Sequence, residues 1–178
     1  MMSHLDLVNS GSMVMTVVDS YDAAGRKTVQ TENGVATTYT YDNADRLTGQ
    51  STLGGTSTFA YDQVGNTTVK QHQGSLPLTM SYDAAQRLTT ATDGPTPVTY
   101  TYDNNGNMTL ENRGGVQTQY VYDRSNRLNA EVANLGATRT TMLYDGDGLR
   151  RVKQTPIFGH VTVTTYVWDG ADYLGEVR

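Results

Sequence analysis

The sequence predicts an all-β protein: an antiparallel β-hairpin repeat ribbon with about two strands per 20-residue repeat, coiled into an open shell, barrel or tube. Three observations lead there. A Tyr-Asp pair recurs at near-constant spacing along the chain. Gly- and Asn-rich turn signals fall between the pairs, so that some turn comes roughly every ten residues, the spacing of an antiparallel meander. Composition agrees: 12 Tyr, 18 Gly and 28 Thr among 178 residues favour strands joined by tight turns. Helical periodicity is sustained nowhere.

The repeat begins after residue 12. Residues 1–12 (MMSHLDLVNSGS) lack the pattern and are set apart as a non-repeat N-terminal tail, with 13–178 as the repeat domain. Met13 to Val18 reads as an ordinary strand. The pairs are then Tyr21-Asp22, Tyr41-Asp42, Tyr61-Asp62, Tyr82-Asp83, Tyr102-Asp103, Tyr122-Asp123, Tyr144-Asp145 and a variant eighth copy, Trp168-Asp169. Successive steps are 20, 20, 21, 20, 20, 22 and 24 residues. Two residues before each key aromatic stands another large apolar group: Tyr39, Phe59, Met80, Tyr100, Tyr120, Met142 and Tyr166, with Asp19 the exception. A period of two places each pair on one face of a strand, and the small or β-branched residue between them on the other.

A turn follows each Asp. Its fourth residue is Gly25, Asp45, Gly65, Gln86, Gly106, Asn126, Gly148 or Asp172. Gly, Asn and Asp tolerate a left-handed backbone. Asp at the first position of a type I turn caps the amide two residues on, and a left-handed residue then closes the hairpin with a bulge. Gln86 fits worst, and its turn is expected to be strained or different. The return strand starts at Arg46-Leu47-Thr48, Arg87-Leu88-Thr89 or Arg127-Leu128-Asn129, whereas the Asp62 and Asp103 copies continue with Gly-Asn. That alternation doubles the period. The second set of turns is Asn33-Gly34, Gly54-Gly55, Gln73-Gly74, Asp93-Gly94, Gly114-Gly115, Leu135-Gly136 and Phe158-Gly159.

The units YDAAGRKT (21–28), YDNADRLT (41–48), YDNNGNMT (102–109), YDGDGLRR (144–151) and YVWDGADYLGEV (166–177) resemble the YD repeats of the RHS family. The resemblance covers about residues 13–178. It implies β-hairpin ribbons that wind into a hollow shell. Such shells enclose a toxic polypeptide in toxin complexes and polymorphic toxins, and form an adhesion scaffold in the related teneurins. It also implies secretion or display at the cell surface. Larger members carry an aspartyl self-cleavage motif of DPxGL type. No Asp-Pro occurs in this sequence, so self-cleavage is not carried over.

Charge and composition exclude other classes. Thirteen Lys and Arg against 18 Asp and Glu give a net charge of −5, the wrong sign for a nucleic-acid surface. No apolar run is long enough for a membrane-spanning helix. The absence of Cys excludes disulfides and thiolate metal sites. His4, His72 and His160 lie far apart and outside the repeat register, and no nucleophile-elbow or phosphate-loop pattern occurs. The expectation is a non-enzymatic protein without cofactor or metal.

Three residue columns remain as candidate sites. Tyr39, Tyr100 and Tyr120, with the key Tyr beside each, read either as a sugar-stacking face or as a cross-strand packing ladder. The repeat-wide regularity favours the ladder. The Asp column reads as turn caps rather than as a calcium stack, because calcium needs six to eight oxygens and each repeat supplies one carboxylate. Arg26, Arg46, Arg87 and Arg127 read either as lateral ion-pair partners of adjacent Asp along the sheet or, by default, as a solvated or inward-lining charged ladder, since exposed pairs stabilise little.

Size sets the scale of assembly. About fifteen strands at a spacing of about 4.8 Å make a sheet about 70 Å wide, which rolled once is only about 23 Å across. One such sheet cannot enclose a folded domain. Uncovered strand edges and strand-like ends favour pairing between copies. The expectation is end-to-end self-assembly into a filament or tube, with glycan binding, or enclosure of a polypeptide within a longer protein, as the alternatives.

Overall fold

The computed structural model describes residues 2–9, 12–133, 136, 138–157 and 159–178, with side chains from residue 15 onward. The chain forms two units. The first runs through Arg87 and takes in Ala91–Pro95; the second holds Leu88–Thr90 and Thr96–Arg178. In the first lie β1 (Met2–Asn9), β2 (Ser12–Tyr21), β3 (Lys27–Glu32), β4 (Val35–Tyr41), β5 (Leu47–Thr52), β6 (Gly55–Tyr61), β7 (Thr67–His72) and β8 (Leu78–Tyr82). Residues of β9 (Leu88–Thr92) belong to both. In the second lie β10 (Val98–Tyr102), β11 (Met108–Arg113), β12 (Val116–Tyr122), β13 (Leu128–Ala133), β14 (Thr138–Tyr144), β15 (Arg150–Ile157), β16 (His160–Asp169) and β17 (Asp172–Val177).

The protein is all-β, and the repeat does supply two strands. From β1 to β8, and again from β10 to β17, each strand pairs antiparallel with the next in sequence. The described residues contain 17 strands, against the roughly fifteen that turn spacing predicts. Residues 2–9, within the stretch set apart as a tail, pair with β2 from Met2↔Ser20 to Asn9↔Ser12.

The two faces of the sheet differ as the period of two requires. In β6 the even positions Thr56, Thr58 and Ala60 are exposed, while Ser57, Phe59 and Tyr61 on the other face are half-buried. β4 repeats the alternation, with Thr38 and Thr40 exposed and Tyr39 and Tyr41 half-buried. Deep burial is rare: among the described residues only Val98, Ala130 and Met142 of the apolar kind, with Thr140 and Thr164, are buried. Partial burial of aromatic rows, the backbone ladder and cross-strand pairs therefore hold the sheet.

Seven of the hairpins carry a bulge at the key aromatic. Thr40 pairs with Gly49 but Tyr41 pairs with Leu47, so Thr48 is the extra residue. The same shift occurs at Tyr21, Tyr61, Tyr102, Tyr122, Tyr144 and Trp168. In the Tyr-Asp hairpins the left-handed turn residue feeds one more residue into the return strand than the partner can match, whereas at Trp168 the bulge follows a two-residue turn.

Candidate functional site

Seven YD turns share one hydrogen-bond pattern. In the first, the Gly25 amide donates to Asp22 O at 3.1 Å, closing the type I turn, and the Asp22 amide donates to Arg26 O at 2.9 Å. Asp22 Oδ1 accepts from the amides of Ala24 and Arg26, both at 2.9 Å, and Oδ2 accepts from Arg26 Nε at 2.7 Å. The carboxylate thus satisfies three donors within five residues. Asp42, Asp83 and Asp123 reproduce the set with Arg46, Arg87 and Arg127. At Asp62 and Asp103 the third donor is the side-chain amide of Asn66 or Asn107, at 2.8 and 2.9 Å. Leu149 occupies that place after Asp145 and has nothing to donate. Arg151, the extra residue of its bulge, reaches Asp145 Oδ2 at 2.6 Å instead.

The fourth turn residues Gly25, Gly65, Gly106 and Gly148 have φ of 82°, 101°, 88° and 84°, and Asp45, Gln86 and Asn126 adopt 61°, 61° and 58°. The Gln86 turn is hydrogen-bonded like the others, its amide donating to Asp83 O at 2.9 Å. Its departure lies in holding a residue without special tolerance in the left-handed region. The eighth copy corrects the sequence reading. Asp169 pairs with Asp172 across the two-residue turn Gly170-Ala171, and Gly170, not Asp172, takes the positive φ of 58°.

The key aromatics join one repeat to the one before it. Tyr41 Oη donates to Lys27 O, Tyr61 to Leu47 O, Tyr82 to Thr67 O, Tyr102 to Leu88 O and Tyr144 to Leu128 O, at 2.8–2.9 Å. Trp168 keeps the bond with a different group, Nε1 donating to Arg150 O at 2.9 Å. Arginine closes the link from the other side. Arg26 Nη1 donates to Asp42 O at 3.1 Å and to Asp45 Oδ1 at 2.7 Å, and its guanidinium lies 5.1 Å from the Tyr41 ring centroid. Arg46 stacks on Tyr61 at 4.7 Å and donates to Asp62 O at 2.8 Å; Arg127 stacks on Tyr144 at 4.8 Å. Each such Arg is an ion-pair partner in its own turn and a stacking cation on the next repeat.

The electrostatics follow the bonds. Asp22, Asp42, Asp83 and Asp123 sit below the usual carboxylate range, foremost because the amide four residues on donates to them, with the guanidinium adding to it. For Asp62 and Asp103 the Asn side-chain amide leads. At Asp145 burial pushes upward and is outweighed by the Leu149 amide and Arg151.

Asp19, the exception in the second aromatic column, accepts from Lys27 Nζ at 2.9 Å and from Tyr21 Oη at 3.3 Å. Of the face tyrosines, Tyr39 donates to Gln30 Oε1 at 3.3 Å, and Tyr120 has its hydroxyl pKa raised by burial and then by Glu111 and Glu131. Tyr39, Tyr100 and Tyr120 are all half-buried. Among the second turns, Asn33-Gly34 and Gly114-Gly115 have two consecutive positive φ values. Leu135 and Phe158 lie outside the described residues.

Two family profiles match the chain: Teneurin YD-shell over residues 54–154 and RHS Repeat over residues 21–58. Among curated proteins none matches. The crystal structure of TcdB2-TccC3-Cdc42 superposes with a TM-score of 0.71 at 17% identity, over 93% of this chain and 11% of that one. That of TcdB2-TccC3-TEV gives 0.70 at 17% identity, with the same coverage. The chain thus spans 11% of the length of the structures it matches.

Proposed function

Because the chain belongs to the Teneurin YD-shell family, we propose that it is a non-enzymatic structural protein whose repeats build a shell wall by adding like units end to end. One observation carries this reading: the links between repeats all run the same way. A repeat offers a strand carbonyl, and with Arg26, Arg46 or Arg127 a cation as well; the next supplies the side-chain donor and ring that engage them, from Tyr41 on Lys27 to Trp168 Nε1 on Arg150 O. A contact in which donor and acceptor sides differ propagates head to tail and closes only if the rotation per unit allows it. Copies of the chain pairing this way extend the wall into a filament or tube. The reading places the protein outside the cell, in keeping with its family.

The 11% coverage of the matched structures supports a second reading, in which the same wall is one segment of a longer shell around a polypeptide cargo. A glycan site on Tyr39, Tyr100 and Tyr120 draws less support, since all three rings are half-buried. Electron microscopy with light scattering on the unmodified chain separates these outcomes. Self-assembly gives regular filaments or tubes whose mass grows with concentration. A species that stays at 19.4 kDa up to high concentration overturns it and leaves the segment reading standing.

A further inference from the structure

In the first unit the β7–β8 hairpin stops short of its turn, and a pocket lies beside the unpaired stretch. β3–β4 and β5–β6 are paired up to their turns, ending at Glu32↔Val35 and Thr52↔Gly55. β7–β8 stops at Lys70↔Leu78. The next rung would set Gln71 opposite Pro77, which has no N–H to donate. The Gln73 amide donates to Thr56 O at 2.7 Å and the Thr56 amide to Gln73 Oε1 at 3.2 Å, the same pair of bonds that Asn33 makes with Thr16 in the fully paired β3–β4 hairpin.

The concave site has a volume of about 350 Å³, at the small end of the range for small-molecule pockets. Its walls are of three kinds. Phe59, Leu76 and Leu78 are apolar, and Phe59 and Leu78 are the cross-strand neighbours of Lys70 on its two sides. Leu76 is 66% exposed, an apolar group without cover. Lys70 and Asp93 bring one charge of each sign, and neither has an ion-pair or hydrogen-bond partner among the described residues. The third kind is the Ser57–His72 pair, joined Oγ to Nδ1 at 3.0 Å.

We propose that this pocket binds a free hydrophobic α-amino acid, its carboxylate on Lys70, its ammonium on Asp93 and its side chain among Phe59, Leu76 and Leu78. The two unpaired charges select for it. A simple apolar anion would meet Asp93 and a simple apolar cation would meet Lys70, each without a counter-charge. A zwitterion with an apolar side chain satisfies both and covers Leu76. Lys70 and Asp93 are both exposed, and an ion pair at such a position is worth up to about fivefold in affinity. The site is independent of wall assembly and persists whether or not copies associate.

The test is a titration of the full chain with L-phenylalanine and L-leucine, followed through the methyl NMR signals of Leu76 and Leu78. A saturable shift confined to those methyls is expected. Phenylethylamine, which lacks the carboxylate, and N-acetyl-L-phenylalanine, which lacks the ammonium, should each bind up to about fivefold more weakly. Lys70→Ala and Asp93→Asn should each cause a similar loss with an unchanged circular dichroism spectrum. No saturable shift overturns the proposal, as does binding indifferent to both substitutions. Phenylethylamine binding as tightly as L-phenylalanine also overturns it, and would leave a merely apolar pocket.

Discussion

Tyr61 occupies two roles with one side chain. Its ring receives Arg46 at 4.7 Å and its hydroxyl donates to Leu47 O at 2.8 Å. Tyr61→Phe removes only the second, and should cost about 1 kcal/mol in urea unfolding, the usual net worth of one such bond. Tyr61→Ala also strips a half-buried aromatic and should cost clearly more. The turn aspartates set the response to acid. Seven carboxyls have folded pKa values below that of an unfolded Asp, about 3.9. Folding is therefore favoured by their ionised form. That contribution is complete above the unfolded value and is lost as pH falls through the lower folded values. The urea midpoint should drop steeply below about pH 4, and Asp42→Asn should lower stability at neutral pH while flattening the acid limb. An acid limb unchanged by that substitution would assign the effect to other groups.

At the scale of the hairpin, the turn and its bulge act as one device. The left-handed residue feeds an extra position into the return strand, and the key Tyr thereby reaches back to the preceding repeat. Where that residue is Gln86, the backbone is held at φ 61° against its steric preference. Gln86→Gly should raise stability by roughly 0.5–1 kcal/mol, after the greater freedom of glycine in the unfolded chain is deducted. Thermal and urea unfolding would measure it, and a loss would mean that the Gln86 side chain holds a contact worth more than the strain. The doubled period has its meaning here too. Arg in the third-donor position binds its own Asp and stacks forward on the next Tyr. Asn66 and Asn107 bind their own Asp but carry no cation to stack.

For the whole molecule, what matters is that within each unit the described strands contact their neighbours in sequence, so that stability is a sum of like repeats and the interfaces between them. Removing residues 41–60 joins Thr40 to Tyr61 and preserves both the period and the Arg26-to-tyrosine link. Such a variant should fold, with a β-type circular dichroism spectrum and a urea m-value lower by about a tenth, in proportion to the surface lost. Removing ten residues instead would exchange YD turns for second turns and should abolish cooperative unfolding.

The sequence by itself determined what depends on a few consecutive residues. Asp followed by a left-handed residue three places on specifies its turn wherever it lies. The alternation in FAY or YTY assigns each side chain to a face because strand geometry allows two faces only. Those local rules, copied eight times, made the fold class and the YD columns legible. They failed in the eighth copy, where Gly170 offered the chain a shorter turn than Asp172 would have closed. Tertiary structure decided every partner that lies fourteen or more residues away. The Tyr hydroxyls find strand carbonyls, Arg26 finds both Tyr41 and Asp45, and Lys70 and Asp93 come to line one pocket. Even Arg151, only six residues from Asp145, takes up its role because a bulge turns it there. The physical reason is register: a one-residue slip exchanges the faces of a strand and renames all its neighbours, and register is settled only when bulge, turn and ladder form together.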